Sequence, residues 1–351
     1  MTTDAPAVEA LAARPPRATR ALSALARPFK TALGGLDRLV MRVDLAPDGQ
    51  TVGVVRLRRA VAVLIGGFAI VYLVQSGLHG RFISPVGLVM LMMPVALYVN
   101  RGGRFLRDWV PILLGIFAYG ATVSAVPTFG LGVHYLPQID ADRIIGMGTL
   151  PTNWLQAHLY NGHIGALEFF SAAMYISHFL APLLLAFLLW AFWRGRGFSD
   201  LLFGILAVSI LGDITFLLGP TAPPWLASEQ GLIPPVQPIL KDTLEHLQLN
   251  GLADLKGDAG SYNVVAAVPS LHAAWPVVCL LVIRKYRLPL WLFSAQAALT
   301  VGIVFAIVYT GEHYVIDAII GALYAFVAWW LVQWVLESRR SLRPAPELGP
   351  S

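Results

Sequence analysis

An all-α, polytopic membrane helix bundle of about eight transmembrane helices is the fold class this sequence predicts, and three observations carry the expectation. Charge is scarce: 13% of the 351 residues are Asp, Glu, Lys or Arg and 57% are apolar, where an ordinary soluble domain has roughly 25% charged residues. The mean hydropathy of +0.67 agrees. The apolar residues gather into eight runs, near 60–78, 84–99, 109–127, 169–192, 201–219, 267–283, 289–310 and 313–336. Each approaches the ~20 residues a helix needs to cross a hydrocarbon core about 30 Å thick, and the second is the shortest. Finally, the basic residues sort by side. With the N-terminus inside, Arg14 to Arg59 and the inner loops hold twenty-one, while the outer side holds Arg81, Arg143, Lys241 and Lys256. That bias places both termini in the cytoplasm and requires an even number of spans.

Taken in order, residues 1–58 form a cytoplasmic basic N-terminal segment. Its first 21 residues, rich in Ala, Pro, Arg and Thr, are expected to be disordered. Within it, Phe29, Leu33, Leu36 and Val40 recur at helical spacing over 29–42, beside Lys30, Arg38 and Arg42. This stretch is either an amphipathic helix on the anionic inner leaflet or a basic linker. The first span begins too deep in the chain for a cleaved signal peptide and is expected to stay as an anchor. Residues 59–164 hold the N-terminal spans and the first extracytoplasmic loop, 165–338 a transmembrane core, and 339–351 a Pro-rich cytoplasmic tail.

Two outer loops, about 128–168 and 220–266, are long enough to suggest function. In the first, Trp154, Leu155, Leu159 and Tyr160 follow Pro151-Thr152-Asn153, with Asn153 a candidate helix cap. In the second, Ile239, Leu240, Leu244 and Leu247 keep a helical rhythm. Both loops are expected at the headgroup level, walling a site. The net charge of +5 is accounted for by orientation, so no nucleic-acid partner is expected. Cys279, alone and inside a span, reads as a packed thiol.

Polar residues converge at three span ends, all on the outer side. They are Gly219-Pro220-Thr221-Ala222-Pro223-Pro224-Trp225, Pro269-Ser270-Leu271-His272, and Glu312-His313-Tyr314-Val315-Ile316-Asp317. His313 and Asp317, four apart, share a helix face. A carboxylate holding one imidazole nitrogen leaves the other free as a nucleophile. His272 supplies a second imidazole suited to protonating a leaving oxygen. Ser270 is placed either to bond a phosphate oxygen or to cap a helix. Asp213 and His178 either pair across neighbouring helices, bind a polar head group, or lock the bundle; His178 is expected to be structural. His158 and His163 are expected on the surface.

Pro269-Ser270-Leu271-His272 followed by His313-x-x-x-Asp317 resembles the type 2 phosphatidic acid phosphatase (PAP2) superfamily. The Thr221-to-Trp225 segment and the Pro-Ser-Leu-His variant are most similar to its inositol phosphorylceramide synthase branch. The resemblance covers roughly 165–335 and implies a six-helix catalytic core. In that core His313 attacks phosphorus to form a phosphohistidine, His272 protonates the departing alcohol, and Asp317 orients His313. It implies lipid substrates in the membrane and no metal or organic cofactor. Ser270, Tyr309, Asp213, Pro223, Trp225, Arg143 and Lys256 are the residues expected to meet substrate.

This chain departs from the family's phosphatases in its cations. No Lys-x6-Arg-Pro motif precedes Pro269, and Ala306-Ile307 stand where those enzymes place Ser-Arg. A monoester carries close to two negative charges and a diester one, so fewer cations favour the diester. A head-group transferase is therefore expected ahead of a lipid or polyprenyl phosphate phosphatase. A transporter or flippase lacks support from internal symmetry, and a non-catalytic scaffold predicts no effect of removing His313.

Overall fold

The computed structural model describes residues 52–78, 85–98, 101–125, 132–192, 196–249 and 265–341. The segments over 1–21 and 29–42, Lys256, and the tail beyond residue 341 lie outside the described residues. Those described are helical almost throughout; two isolated β-bridges meet at Thr221. Helices occupy all eight apolar runs: α1 Val52–Leu78, α2 Pro85–Tyr98 and α3 Gly102–Ala125, then α6 Ala166–Phe192 and α7 Arg196–Leu218, and finally α10 Leu271–Lys285, α11 Leu290–Tyr309 and α12 Val315–Ser341. Four shorter helices lie between these: α4 Leu136–Ile145, α5 Pro151–Leu159, α8 Pro224–Glu229 and α9 Ile239–His246.

The chain divides into two compact units. Among the described residues the smaller takes α1 through Val63 together with Met93–Pro111. In it the Arg59 guanidinium lies 5.3 Å from the Tyr98 ring centroid, and Phe105 stacks on Trp109 one helical turn later. The larger unit takes Leu64–Met92 and the chain from Ile112 onward, and it holds every residue of the candidate site.

In the larger unit α10 is the axis. It packs against α6, α7, α11 and α12, while α6 meets α7 and α11, and α12 meets α7. A helix enclosed on all sides must be apolar all round, and Ala273, Ala274, Val278, Cys279, Val282 and Ile283 are accordingly buried. The enclosing helices behave differently. Leu218, Val301 and Trp330 are 77%, 70% and 64% exposed. Apolar surface on this scale belongs in lipid rather than water. Four helices, Ala166–Ala191, Gly197–Leu218, Leu290–Tyr309 and Val315–Ser338, are long and apolar enough to cross a membrane. The chain is an integral membrane protein.

One end of this bundle is tied by an ion pair. Lys285, closing α10, donates to Asp200 Oδ2 on α7 at 2.6 Å and to Gln333 on α12, and its Nζ sits 5.4 Å from the Trp329 ring. The Tyr286 hydroxyl donates to the same Asp200 oxygen at 2.8 Å. Asp200 is 1% exposed on its side chain and Lys285 28%. Lys285→Met is expected to destabilise the bundle by about 2 kcal/mol, below the ~3–5 kcal/mol of a fully buried pair because the ammonium keeps some solvent. Thermal unfolding in detergent checks it; an unchanged midpoint would assign the pair no net stabilising role.

At the opposite end the loop helices are folded onto the bundle. α4 packs on α12, α5 on α11, and α9 on α6. Leu240 and Leu244 of α9 join a core with Tyr175, Ile307 and Val308, and Ile139 of α4 joins one with Tyr314, Ile233 and Val236. The helices expected near Trp154 and Ile239 are both present. Asn153 is not the cap of α5, because Leu150 holds that position and Pro151 opens the helix. Its side-chain amide donates instead to the carbonyls of Pro234 and Pro235, at 3.2 and 3.1 Å, joining the two long loops. His158 and His163 are exposed.

Candidate active site

The three polar motifs do meet. α11 ends at Tyr309, and the chain reverses through Gly311, whose φ of +80° suits glycine. A side chain there would also strike Val236 Cγ1, 2.7 Å from a Cβ. The turn delivers His313 just ahead of α12. His313 Nδ1 lies 3.4 Å from Asp317 Oδ2, the i,i+4 pair expected from the spacing. Asp317 Oδ2 also accepts from the Tyr314 backbone N–H at 2.9 Å.

His272 reaches the same place from α10. Its Nδ1 is 3.1 Å from His313 Nε2. In the tautomer that carries the His313 proton on Nδ1, toward Asp317, Nε2 holds the lone pair and can accept from His272 Nδ1–H. The result is one chain of contacts, His272 to His313 to Asp317, with Asp317 fully buried and His313 5% exposed.

What brings α10 so near α12 is a missing side chain. The Ser270 N–H donates to the Asp317 carbonyl at 3.1 Å, and a Cβ built on Gly321 would lie 2.2 Å from the Ser270 carbonyl oxygen. Glycine at 321 allows that approach. Ser270 occupies the N-cap position of α10, yet its side chain makes no capping bond. Its hydroxyl is buried without a hydrogen-bond partner among the described residues.

Thr221 holds the segment leading to Ser270. Its N–H donates to Val265, its carbonyl accepts from Ala267, and its hydroxyl accepts from the Val268 N–H at 2.8 Å. On its other side the backbone of His134 pairs with Pro220 and Ala222. Pro223 caps α8, and the Trp225 N–H donates to the Gly311 carbonyl, so this segment braces the α11–α12 turn.

The remaining expected residues are more dispersed. Tyr309 is buried, with its hydroxyl on Glu168 Oε1 of α6 at 2.5 Å and its carbonyl accepting from Gln156 at 2.9 Å. Asp213 is half-buried on α7, one carboxylate oxygen lacking a partner among the described residues. Arg143 is exposed on α4, 3.7 Å from Asp140.

Further residues lie at or around the site: His178, which was expected to be structural, and Gln156 and Asp142, which no sequence signal singled out. His178, buried on α6, has its Nδ1 on the Tyr175 carbonyl and its ring centroid 3.9 Å from that of His272; Tyr175 covers His272 at 4.6 Å. Its place in mid-span was a signal, but no spacing rule links it to His272. Gln156 joins the Gln237 backbone to the end of α11. Asp142 of α4 accepts from the Val315 and Ile316 N–H groups at the start of α12, at 2.9 Å each. Burial pushes its carboxyl pKa up, and these two bonds offset only part of the rise.

The fold and the site define an all-α integral membrane protein with a His–His–Asp cluster at one end of its bundle. A family model described as the PAP2 superfamily matches residues 138–331, more than half of the chain, and the protein belongs to that superfamily. It is similar to a phosphoinositol dihydroceramide synthase of Bacteroides thetaiotaomicron, with 26% identity over 207 residues, 56% of this chain. The matched region spans 65% of that relative's length. No solved structure matches.

Proposed function

We propose that the protein is a transferase that moves a phosphorylated, inositol-type head group from a phosphodiester lipid to a lipid alcohol. The observation that carries this reading is the His272–His313–Asp317 chain of contacts at 3.1 and 3.4 Å, lying wholly within the family match. His313 Nε2 attacks phosphorus, and the bond to the donor's lipid alcohol breaks. The Nδ1 proton of His272 passes to that alcohol oxygen, and Asp317 stabilises the imidazolium. In the second half the acceptor hydroxyl gives its proton to His272, forms the new P–O bond and displaces His313. The buried, unpartnered Ser270 hydroxyl is suited to donate to a phosphoryl oxygen.

Transfer is favoured over monoester hydrolysis by what surrounds the triad. Ala306 and Ile307, where the family's phosphatases carry Ser-Arg, are fully buried in the apolar core. The name of the bacterial relative, which includes a phosphoinositol head group and dihydroceramide, supports the same choice of substrates. Asp213, Tyr309, Pro223, Trp225, Arg143 and Lys256 remain candidates to meet the head group or acceptor. Eight spans with cytoplasmic termini and an outward-facing site are the topology proposed. The antiparallel helices support it by grouping Lys285 at one end of the bundle and the histidines at the other.

Reconstituted protein given labelled phosphatidylinositol and dihydroceramide is expected to form a new phosphodiester lipid while releasing little phosphate from a lipid monophosphate. Rapid phosphate release from the monoester, with no lipid-to-lipid transfer, would instead make the enzyme a phosphatase.

A further inference from the structure

The N-terminal turn of α12 is capped from elsewhere in the chain. A helix begins with backbone N–H groups that have no intrahelical partner, ordinarily met by a Ser, Thr, Asp or Asn just before it. Here that position holds Tyr314, whose hydroxyl stands too far from its own backbone to serve as a cap. Asp317, in the first turn, takes the Tyr314 N–H, as the acidic member of a capping box does. The next two N–H groups, of Val315 and Ile316, go to the two carboxylate oxygens of Asp142, 173 and 174 residues away in sequence. Asp142 is fully buried, so this bidentate contact is not loosened by water.

The consequence falls on Asp317. Free N–H groups and the positive end of a helix attract any nearby carboxylate. With Asp142 satisfying Val315 and Ile316, Asp317 Oδ2 stays between the Tyr314 N–H and His313 Nδ1. We propose that Asp142 is a positioning residue: from the outer helix α4 it fixes the first turn of α12, and so holds the His313 ring between Asp317 and His272. Its carboxylate bonds the backbone of Val315 and Ile316, and through that backbone it acts on the three side chains. This rests on the reading that His313 and His272 carry the transfer.

The test compares wild type, Asp142→Asn, Val315→Pro and His313→Ala in proteoliposomes, with phosphatidylinositol as donor and dihydroceramide as acceptor. Asparagine turns an amide NH2 toward an N–H. Proline is accepted in the first turn of a helix but deletes one of the two donors. Two readouts are taken from each variant. The first is the split of kcat from KM, and the second is the rate at which diethyl pyrocarbonate modifies His313 relative to exposed His163. Asp142→Asn is expected to lower kcat about 100-fold with KM within about twofold, and to speed His313 modification about tenfold, with the unfolding temperature little changed. Val315→Pro is expected to move both readouts the same way, and it reports on the same contact if Asp142→Asn fails to accumulate. Wild-type values of kcat and His313 reactivity in the folded variants would overturn the proposal, as would failure of both variants to fold, which would leave Asp142 a folding role alone. If wild type shows no transfer, or His313→Ala retains it, the functional reading falls while the modification rates still decide whether Asp142 holds the ring.

Discussion

His313→Ala is expected to abolish transfer, lowering turnover by about 10^4-fold or more, as removal of a nucleophile does when binding groups remain. His272→Ala should also be inactive on natural lipids, losing roughly 10^2 to 10^4-fold, the range of general acid–base catalysis. The two losses separate by leaving group. A p-nitrophenyl phosphodiester departs as a stabilised phenolate and needs no proton, so His272→Ala should recover much of the first half-reaction with it. His313→Ala should recover none. That asymmetry follows from the proposed roles, His313 Nε2 as nucleophile and His272 Nδ1, 3.1 Å away, as acid. A labelled enzyme adduct, stable in alkali and lost in acid, should accumulate when acceptor is withheld from wild type. Retention of transfer by His313→Ala would remove the phosphohistidine from the mechanism altogether.

Gly321→Ala carries the second large effect, although residue 321 has no chemistry. Its added Cβ would sit 2.2 Å from the Ser270 carbonyl oxygen and 3.0 Å from the carbonyl carbon. The obstruction is backbone, so no rotamer change relieves it. α10 and α12 must separate, and His272 is then drawn away from His313. A displacement near 1 Å costs about 100-fold in rate when reacting groups must be aligned, and overpacking of this kind costs about 1–3 kcal/mol in stability. Gly302→Ala is the control. Its Cβ would meet the Met174 sulfur at 2.8 Å, the far part of a flexible side chain that can move aside. Turnover and thermal unfolding of both variants decide the matter; activity within about twofold of wild type in Gly321→Ala would show that the close approach is not needed.

The loop helices take on a definite function in this light. α4, α5 and α8 are not coverings over a finished bundle. Asp142, Gln156 and Trp225 each bond the backbone on or around the α11–α12 turn. The turn that carries His313 is thereby held from outside the bundle as well as from within it. The opposite end of the bundle is tied by the Asp200–Lys285 pair, far from the histidines.

The membrane class, the helical nature of all eight apolar runs and the His313–Asp317 pair were legible in the sequence, because each depends on short-range regularities. Hydropathy over about 20 residues marks a span, and a spacing of four puts two side chains on one helix face. The order Thr221 to Trp225, Ser270 to His272, then His313 to Asp317 pointed to the superfamily for the same reason: each motif is a local string. Tertiary structure alone decided what lies between the strings. Asp142 caps a helix 173 residues away, His178 lies against His272 from a neighbouring helix, and Gly321 matters through the Ser270 backbone. None of these pairs shares a period or a spacing, since the chain can close loops of almost any length at similar entropic cost. Their partners are set by how α6, α7, α11 and α12 pack around α10, a property of the whole bundle that no local stretch contains.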